Sequence, residues 1–205
     1  YSSVEEIIEL AEVVKKYEGF YSSHIRDESD FTVGLEEAVK EAIYIGKKAG
    51  VRVQISHIKA LGKSVWGMSP KICDMIEKAR ILGIVVFADQ YPYDASSTIL
   101  SGSVMPAIAN EGNKLKEGLA NPDLLPAIKK AIAENIERRG GAESLKVVSY
   151  SADHNFDGKS LSEISRILGS SVIDTVIYLV RTCDPYIISY NMKDSDIETF
   201  MKKDY

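Results

Sequence analysis

The stretch KKAGVRVQISHIK, residues 47–59, decides the fold. It opens with the basic end of a helical pattern, is interrupted by Gly50, and continues with β-branched residues up to His57. Basic residues in the last turn and a glycine directly after it are typical of a helix C-terminus. Valine and isoleucine in short alternation favour a strand. The stretch therefore predicts a helix that ends at Gly50 and a strand over 51–57.

The same helix–glycine–strand order occurs three times, with a spacing of about 30 residues. A Ser-x-x-Glu capping box with Ser3 as N-cap, and a Ser-Pro pair with Ser69 as N-cap, mark two of the helix starts. This alternation is typical of a wound parallel sheet or of a barrel. The continuous apolar run of the third strand predicts burial on both of its faces. The predicted elements are helices from Ser3 to Gly19, over 32–49 and over 70–82, and strands over 19–24, 51–57 and 84–89.

The helix–glycine–strand order does not continue after residue 95. Residues 95–118 are rich in Ser, Gly and Asn, which predicts a long loop inserted after the third strand. The pattern gives no domain boundary, linker or low-complexity segment, so we expect one domain over 1–205. Beyond the loop, the predicted elements are helices over 123–139, 160–168, 171–183 and from Asp194, and strands over 145–150 and 186–190.

Composition excludes several classes of protein. The chain has 205 residues, a net charge of −5 and no basic patch, which disfavours a nucleic-acid partner. We find no transmembrane run and no signal peptide, so no membrane partner is expected. The two cysteines, Cys73 and Cys183, lack metal-ligand spacing and favour a reducing compartment, so the predicted location is cytoplasmic.

Polar side chains follow each of the three predicted parallel strands. His24 and His57 come at two successive strand ends, 33 residues apart, and Asp89 with the following Tyr-Pro-Tyr run comes at the third. Groups at the carboxyl ends of parallel strands meet at one edge of the sheet. Neutral imidazole is a good zinc ligand. From spacing alone the two histidines are either metal ligands or hydrogen-bonding residues, whereas His154, in a later loop, is predicted to be a surface residue.

Four segments together resemble a known family. They are YSSHIRDESD (21–30), VQISHIKALG (53–62), EKARILGIVVFADQYPYDASST (77–98) and ISYNMKDSDIETFM (188–201). In this order and spacing they are similar to the N-acyl-D-amino-acid deacylases, or D-aminoacylases, of the metal-dependent amidohydrolase superfamily. The resemblance spans nearly the whole chain and is weakest over about 110–150.

The resemblance implies a partial (β/α)₈ barrel of the TIM type, roughly its second half, with the long insertion after the Tyr-Pro-Tyr strand. It implies that the cofactor is zinc and that His24 and His57 are zinc ligands. It further implies that Lys59, Tyr91 and Ser97 bind the carboxylate of the substrate, a small N-acyl-D-amino acid. Arg26 is a weaker candidate for the same role.

The family pattern also contains features that this chain lacks. A His-x-His pair and a cysteine ligand belong to earlier strands, and neither cysteine of this chain has that place in chain order. The general-base aspartate is expected beyond Tyr205, so no catalytic residue is assigned here. We therefore expect an internal fragment of a hydrolase that by itself is inactive, binds zinc weakly or not at all, and forms homo-oligomers through its open sheet edges.

Other functions remain open at this stage. The parent enzyme could be an amidohydrolase acting on cyclic amides or on N-acyl-D-glutamate or N-acyl-D-aspartate, because much of the substrate pocket lies outside this sequence. A non-catalytic structural piece that self-associates is the alternative from a different class.

Overall fold

The computed structural model describes residues 2–109 and 115–205. The described chain divides into two compact units, one formed by the described residues up to 94 together with 192–205, and the other by the described residues within 95–191. The prediction of a single domain over 1–205 stays a prediction. In the parts of the chain that the structure describes, each helix is too short or too polar to cross a membrane.

The first unit is built from three β/α repeats, as the sequence predicts. Its strands β1, β2 and β3 form a parallel sheet in that order. The elements are helices α1 (Val4–Lys15), α2 (Leu35–Ala49) and α3 (Ser69–Ile81) and strands β1 (Phe20–Ser23), β2 (Arg52–Ile55) and β3 (Val86–Ala88). The α/β class is therefore confirmed, with strands that are shorter than predicted.

Local signals set the helix boundaries. The Ser3 Oγ accepts a hydrogen bond from the Glu6 N–H at 3.2 Å and begins α1. Gly50 takes a left-handed conformation, with φ 67°, and ends α2. The predicted N-cap Ser69 is instead the first residue of α3, and Met68 is the cap. That correction arises because the Ser69 hydroxyl donates to a distant carboxylate, Asp196 Oδ1, rather than capping its own helix.

Among the residues that the structure describes, helices cover one face of the parallel sheet. Val53, Ile55 and Val86 point to this face and are fully buried in a core shared with α2 and α3. Phe87, on the opposite face, is 41% exposed. The predicted burial of the third strand on both faces is therefore wrong, because an apolar run does not show which faces its neighbours cover.

The helix after the insertion returns to the first unit. α9 (Asp194–Met201) packs on α3, and Phe200 joins the core of the parallel sheet. The buried Asp196 accepts hydrogen bonds from the Gly67 N–H at 2.8 Å and the Ser69 N–H at 3.1 Å. It thereby satisfies backbone donors at the start of α3 that have no partner within that helix.

The second unit is an antiparallel sheet with helices packed on it. Its strand order is β4-β6-β5, and its buried core includes Leu145, Val147 and Ile187. Its strands are β4 (Ala95–Ile99), β5 (Leu145–Ser149) and β6 (Tyr186–Tyr190), and its helices are α4 (Leu100–Val104), α5 (Leu115–Ala120), α6 (Leu125–Arg138), α7 (Leu161–Leu168) and α8 (Val172–Thr182).

The long loop predicted over 95–118 is mostly regular structure. It contains β4, α4 and the start of α5, while its residues 110–114 lie outside the described part of the chain. The Ser- and Gly-rich composition concealed the strand because β4 is stabilised by pairing with β6, some 90 residues later. The strand propensity of a short segment does not indicate whether a distant segment pairs with it.

Candidate metal centre

Two imidazoles face each other where β1 and β2 end. The His24 Nδ1 lies 3.0 Å from the His57 Nε2, and the ring centroids are 4.7 Å apart with the planes at 72°. His24 follows β1 directly, and His57 comes two residues after the end of β2. The strand register thus brings together the two residues predicted as metal ligands.

The backbone at His57 is what allows the two rings to meet. The register pairs Ser23 with Ile55, so in a regular strand His24 would lie beside Ser56, and His57 would point to the other face. His57 instead adopts a left-handed conformation, with φ 41°. The alternation of side chains between the two faces of the sheet therefore ends before His57, and its ring turns towards His24. The spacing of 33 residues between the two histidines is therefore one residue longer than the offset between paired positions of β1 and β2.

Asp89 fixes that turn. Its Oδ1 accepts a hydrogen bond from the His57 backbone N–H at 2.7 Å, and its Oδ2 accepts one from the Gln54 Nε2 at 2.6 Å. The sequence placed Asp89 at the end of the third strand without assigning it a role. Its role in the structure is to hold the main chain of a candidate ligand.

Glu28 and Lys59 form a buried ion pair beside His57. The Glu28 Oε1 lies 2.5 Å from the Lys59 Nζ and 3.0 Å from the His57 Nδ1. The side chains of Lys59 and Glu28 are only 5% and 12% exposed. Burial alone would raise the pKa of Glu28, but the hydrogen bond with His57 and the charge of Lys59 outweigh it and hold that pKa below its usual value.

Sequence reasoning missed Glu28. It stands in the segment YSSHIRDESD (21–30), but its partner Lys59 is 31 residues away and belongs to another repeat. The ligand atoms of His24, Glu28 and His57 all lie within 4.8 Å of one another, as in a group able to hold a metal ion. A carboxylate four residues after a strand-end histidine was the available signal.

Asp27 shapes the loop that carries Glu28. This carboxylate is buried and accepts hydrogen bonds from Ser29, Thr32 and Gly34. The Glu28 carbonyl oxygen accepts a further bond from the Leu61 N–H at 2.9 Å. The loop after β1 is therefore fixed at both sides of Glu28.

The other predicted site residues have different surroundings. Tyr91 lies near the cluster, with the Lys59 Nζ 5.5 Å from the centroid of its ring. The Arg26 guanidinium donates two hydrogen bonds to Glu41 Oε1 on α2, from Nη2 at 2.9 Å and from Nε at 3.0 Å. Ser97 belongs to the second unit, where its hydroxyl donates to the Ile187 carbonyl oxygen at 3.0 Å.

His154 is an exposed surface residue, as predicted. Its Nδ1 lies 2.8 Å from Asp157 Oδ2, and its side chain is 73% exposed. Cys73 is buried and Cys183 is exposed, and both are free thiols.

Comparison with known proteins gives a consistent answer. No family model matches the chain. It is 38% identical over 91 residues to N-acyl-D-glutamate deacylase and 37% identical over 99 residues to D-aminoacylase, both from Alcaligenes xylosoxydans. These matches include 44% and 48% of this chain but only 18% and 20% of the relatives, so the chain matches about a fifth of their length.

Solved structures share the fold. The N-acyl-D-glutamate deacylase from Bordetella bronchiseptica, solved with zinc and a phosphonate inhibitor, superposes with a TM-score of 0.73 at 24% identity. A D-aminoacylase structure, described as defining a subset of amidohydrolases, superposes with a TM-score of 0.67 at 26% identity. The matches cover 98% and 96% of this chain and 34% and 33% of those chains. In sequence and in fold the chain is therefore similar to part of N-acyl-D-glutamate deacylase and of D-aminoacylase.

Proposed function

We propose that the chain is part of a zinc-dependent hydrolase that cleaves the amide bond of N-acyl-D-amino acids and releases a carboxylate and a free D-amino acid. The observation that carries this proposal is the pair of facing imidazoles, His24 and His57, at the ends of adjacent parallel strands. The relatives named above supply the substrate class.

The two histidines fit a zinc ion. Zinc binds imidazole nitrogen at about 2.0–2.1 Å, so two nitrogens on a tetrahedral ion lie about 3.3 Å apart. The His24 Nδ1 and His57 Nε2 are 3.0 Å apart, so each ring has to move by only a few tenths of an ångström. When bound, such an ion lowers the pKa of a water molecule and polarises an amide carbonyl.

Lys59 and Tyr91 are the proposed contacts for the substrate carboxylate. The Lys59 ammonium has three N–H donors, and the phenol ring of Tyr91 lies beside it. The ion pair with Glu28 orients the ammonium before substrate arrives. Contacts of Arg26 and Ser97 with the substrate remain predictions, since the structure gives these side chains the partners Glu41 and Ile187.

We also propose that the first unit is a segment of a (β/α)₈ barrel within a single domain. In a doubly wound sheet, helices cover both faces, whereas in a barrel they cover only the outside. The parallel sheet here has its helices on one face and Phe87 half-exposed on the other. This arrangement favours the barrel.

Two further proposals concern the isolated chain. Within the described residues, β1 and β3 each pair with a single neighbour in their sheet, so their outer edges favour self-association into homo-oligomers. The two free cysteines favour a cytoplasmic location. Sedimentation velocity tests the first of these, because a strictly monomeric chain would contradict it.

The main test measures release of free D-amino acid by the full-length parent protein. The substrates are N-acetyl-D-methionine, N-acetyl-D-glutamate, N-acetyl-D-aspartate and a cyclic amide, which separate the alternative substrate classes. We expect His57→Ala to lower kcat/KM at least 100-fold, because a metal ligand is lost. His154→Ala, which removes an exposed histidine, is the matched control and keeps wild-type activity.

Two results would contradict the proposal. Full activity of the His57→Ala enzyme would contradict the proposed role of His57 as a zinc ligand. If the wild-type parent hydrolysed none of the four substrates, the proposed hydrolase activity would be wrong. Zinc analysis of the 205-residue chain is a separate measurement. We expect weak binding at most, since two histidines leave a tetrahedral ion short of protein ligands.

A further inference from the structure

We propose that a second copy of this chain docks on the β1 side of the first unit, with the two α1 helices packed antiparallel across a two-fold axis. The inference rests on the self-association stated under the proposed function and deepens it by naming the surface. It depends neither on zinc nor on hydrolysis, so its test is separate from theirs.

Helix α1 has two apolar faces, and the described residues of the chain cover one of them. Ile7, Ile8 and Ala11 pack with α2 and β1 residues in a small core. The second face is a stripe with the helical spacing i, i+3, i+4, i+7. Its side chains are between 37% and 81% exposed, and a contiguous exposed set of this kind marks an interaction surface. The stripe consists of Leu10, Val13, Val14 and Tyr17.

The stripe lies on the outer flank of the unit. α1 packs on β1 and α2, and α2 packs in turn on α3, so α1 is the last helix on this side. At about 100° per residue, the stripe is centred about 120° round the helix from the face that packs on α2. It therefore points away from α2, on the side of the sheet where β1 has its outer edge.

The charges beside the stripe fit an antiparallel second copy. Glu9 and Lys16 are exposed, lie on the same side of the stripe and are two turns apart. A two-fold axis at Val13 reverses one helix against the other, so Glu9 comes level with Lys16 of the partner subunit to within about one residue. In a parallel pair, equal charges would come level instead. The surface is thus complementary to itself in the antiparallel orientation.

The opposite flank of the unit is closed at the outer edge of β3. The Val53 N–H donates to the Val85 carbonyl oxygen at 2.9 Å, so the main-chain groups of residue 85 face β2. Because these groups alternate along a strand, the Val86 carbonyl points to the outer edge. The Arg80 Nη1 donates to this carbonyl oxygen at 2.5 Å. The guanidinium thus occupies an acceptor that an added strand would need.

Aromatic rings hold the Arg80 guanidinium at this edge. Its central carbon lies 5.5 Å from the centroid of the Phe87 ring and 5.4 Å from that of the Tyr205 ring. The Tyr205 hydroxyl donates to the Cys73 carbonyl oxygen at 3.2 Å and so fixes its ring on α3. A charged side chain over an edge strand opposes strand addition. The β1 flank is therefore the docking surface.

Sedimentation velocity of the 205-residue chain tests the orientation. We expect Glu9→Lys and Lys16→Glu each to weaken dimerisation about 10-fold, because the two-fold axis makes each like-charge contact twice. The double variant restores both pairs and returns the dissociation constant to near the wild-type value. Glu12→Lys is the matched control, since Glu12 is exposed on the same helix but faces away from the stripe. It leaves dimerisation unchanged.

Two further variants test the two flanks. Val13→Lys places two like charges at the axis and should weaken dimerisation about 100-fold. Arg80→Ala keeps the dimer and adds larger species, because it opens the β3 edge. Lys78→Ala, which removes an exposed base from the same helix, adds none.

The outcomes separate the surface from the self-association itself. A wild-type dimer that is unaffected by Val13→Lys, or a double charge variant as weak as the single ones, would overturn the assignment of the surface alone. An Arg80→Ala chain without larger species would overturn the closed β3 edge. A strictly monomeric wild-type chain would overturn the self-association and this surface together, while the hydrolase assay still decides the activity.

Discussion

Replacing Asp27 with asparagine tests how the loop that follows β1 and carries Glu28 is held in place. Asp27 is 4% exposed, and its Oδ1 accepts from the Ser29 N–H at 2.8 Å. Its Oδ2 accepts from the Thr32 N–H at 2.5 Å, the Thr32 hydroxyl at 3.1 Å and the Gly34 N–H at 3.0 Å. One carboxylate thus organises the chain from residue 27 to the start of α2.

The expected loss follows from these four bonds. If the amide oxygen takes the place of Oδ2, three bonds persist without the charge of the carboxylate, and the Ser29 N–H faces an NH₂ group. Leaving one buried donor without an acceptor costs about 1–3 kcal/mol, and charged hydrogen bonds are about twice as strong as neutral ones. We expect Asp27→Asn to lower the free energy of unfolding by about 2–4 kcal/mol.

The effect has a predicted pH dependence. Burial by itself raises the pKa of Asp27, but the hydrogen bonds from Thr32, Ser29 and Gly34 outweigh it and bring the pKa below the usual 3.8. A carboxyl whose pKa is depressed on folding contributes stability above its unfolded pKa and loses it as the pH falls through the folded pKa. The difference between wild type and Asp27→Asn should therefore be full at neutral pH and shrink below about pH 4.

Urea unfolding followed by circular dichroism, at pH values from neutral to acidic, measures both effects. Asp74→Asn is the control, because Asp74 is an exposed carboxylate paired with Lys78 one turn along α3. It should change stability by less than about 0.5 kcal/mol. A loss below that value in Asp27→Asn, or a difference that stays constant into acid, would refute the role given to this carboxylate.

Three other predictions use stability and thiol chemistry. Gly46→Ala places a Cβ 2.0 Å from the Val53 Cγ2, so we expect the free energy of unfolding in urea to fall by about 1–3 kcal/mol. Adding Val53→Ala should recover part of this loss. A stabilised Gly46→Ala variant would contradict the prediction. Asp196→Ala removes the acceptor of three hydrogen bonds at the start of α3, so we expect the free energy of unfolding to fall by about 2–4 kcal/mol in thermal unfolding. An unchanged melting temperature would contradict the capping role of Asp196. Cys183 should react with a thiol reagent in the native chain and Cys73 only after denaturation, because burial raises the pKa of the Cys73 thiol; equal rates would show that Cys73 is accessible.

The repeats of the first unit were predictable because their signals are local. A capping serine, a left-handed glycine and a β-branched run each act within a few residues, so Ser3, Gly50 and strand β2 appear where the sequence predicts them. The meeting of His24 and His57 was also predictable, since parallel strands bring their carboxyl ends to one edge.

The features that could not be predicted from the sequence depend on partners that are distant along the chain. Glu28 acquires its role from Lys59, which lies in the next repeat, and β4 exists because it pairs with β6. Arg26 stands next to two acids in the sequence, but it pairs with Glu41 on α2. Each of these contacts depends on tertiary packing, which residue type and spacing alone do not specify.

The two oxygens of Asp89 accept hydrogen bonds from two different places, the side chain of Gln54 on β2 and the main chain of His57 in the turn after β2. The Asp89 N–H in turn donates to Ile55, and its carbonyl oxygen accepts from the Ile58 N–H. The end of β3 is thereby fastened to the turn that holds the imidazole. The Tyr-Pro-Tyr segment begins two residues after Asp89, so the proposed substrate contact at Tyr91 starts from the same strand end that holds the backbone of His57.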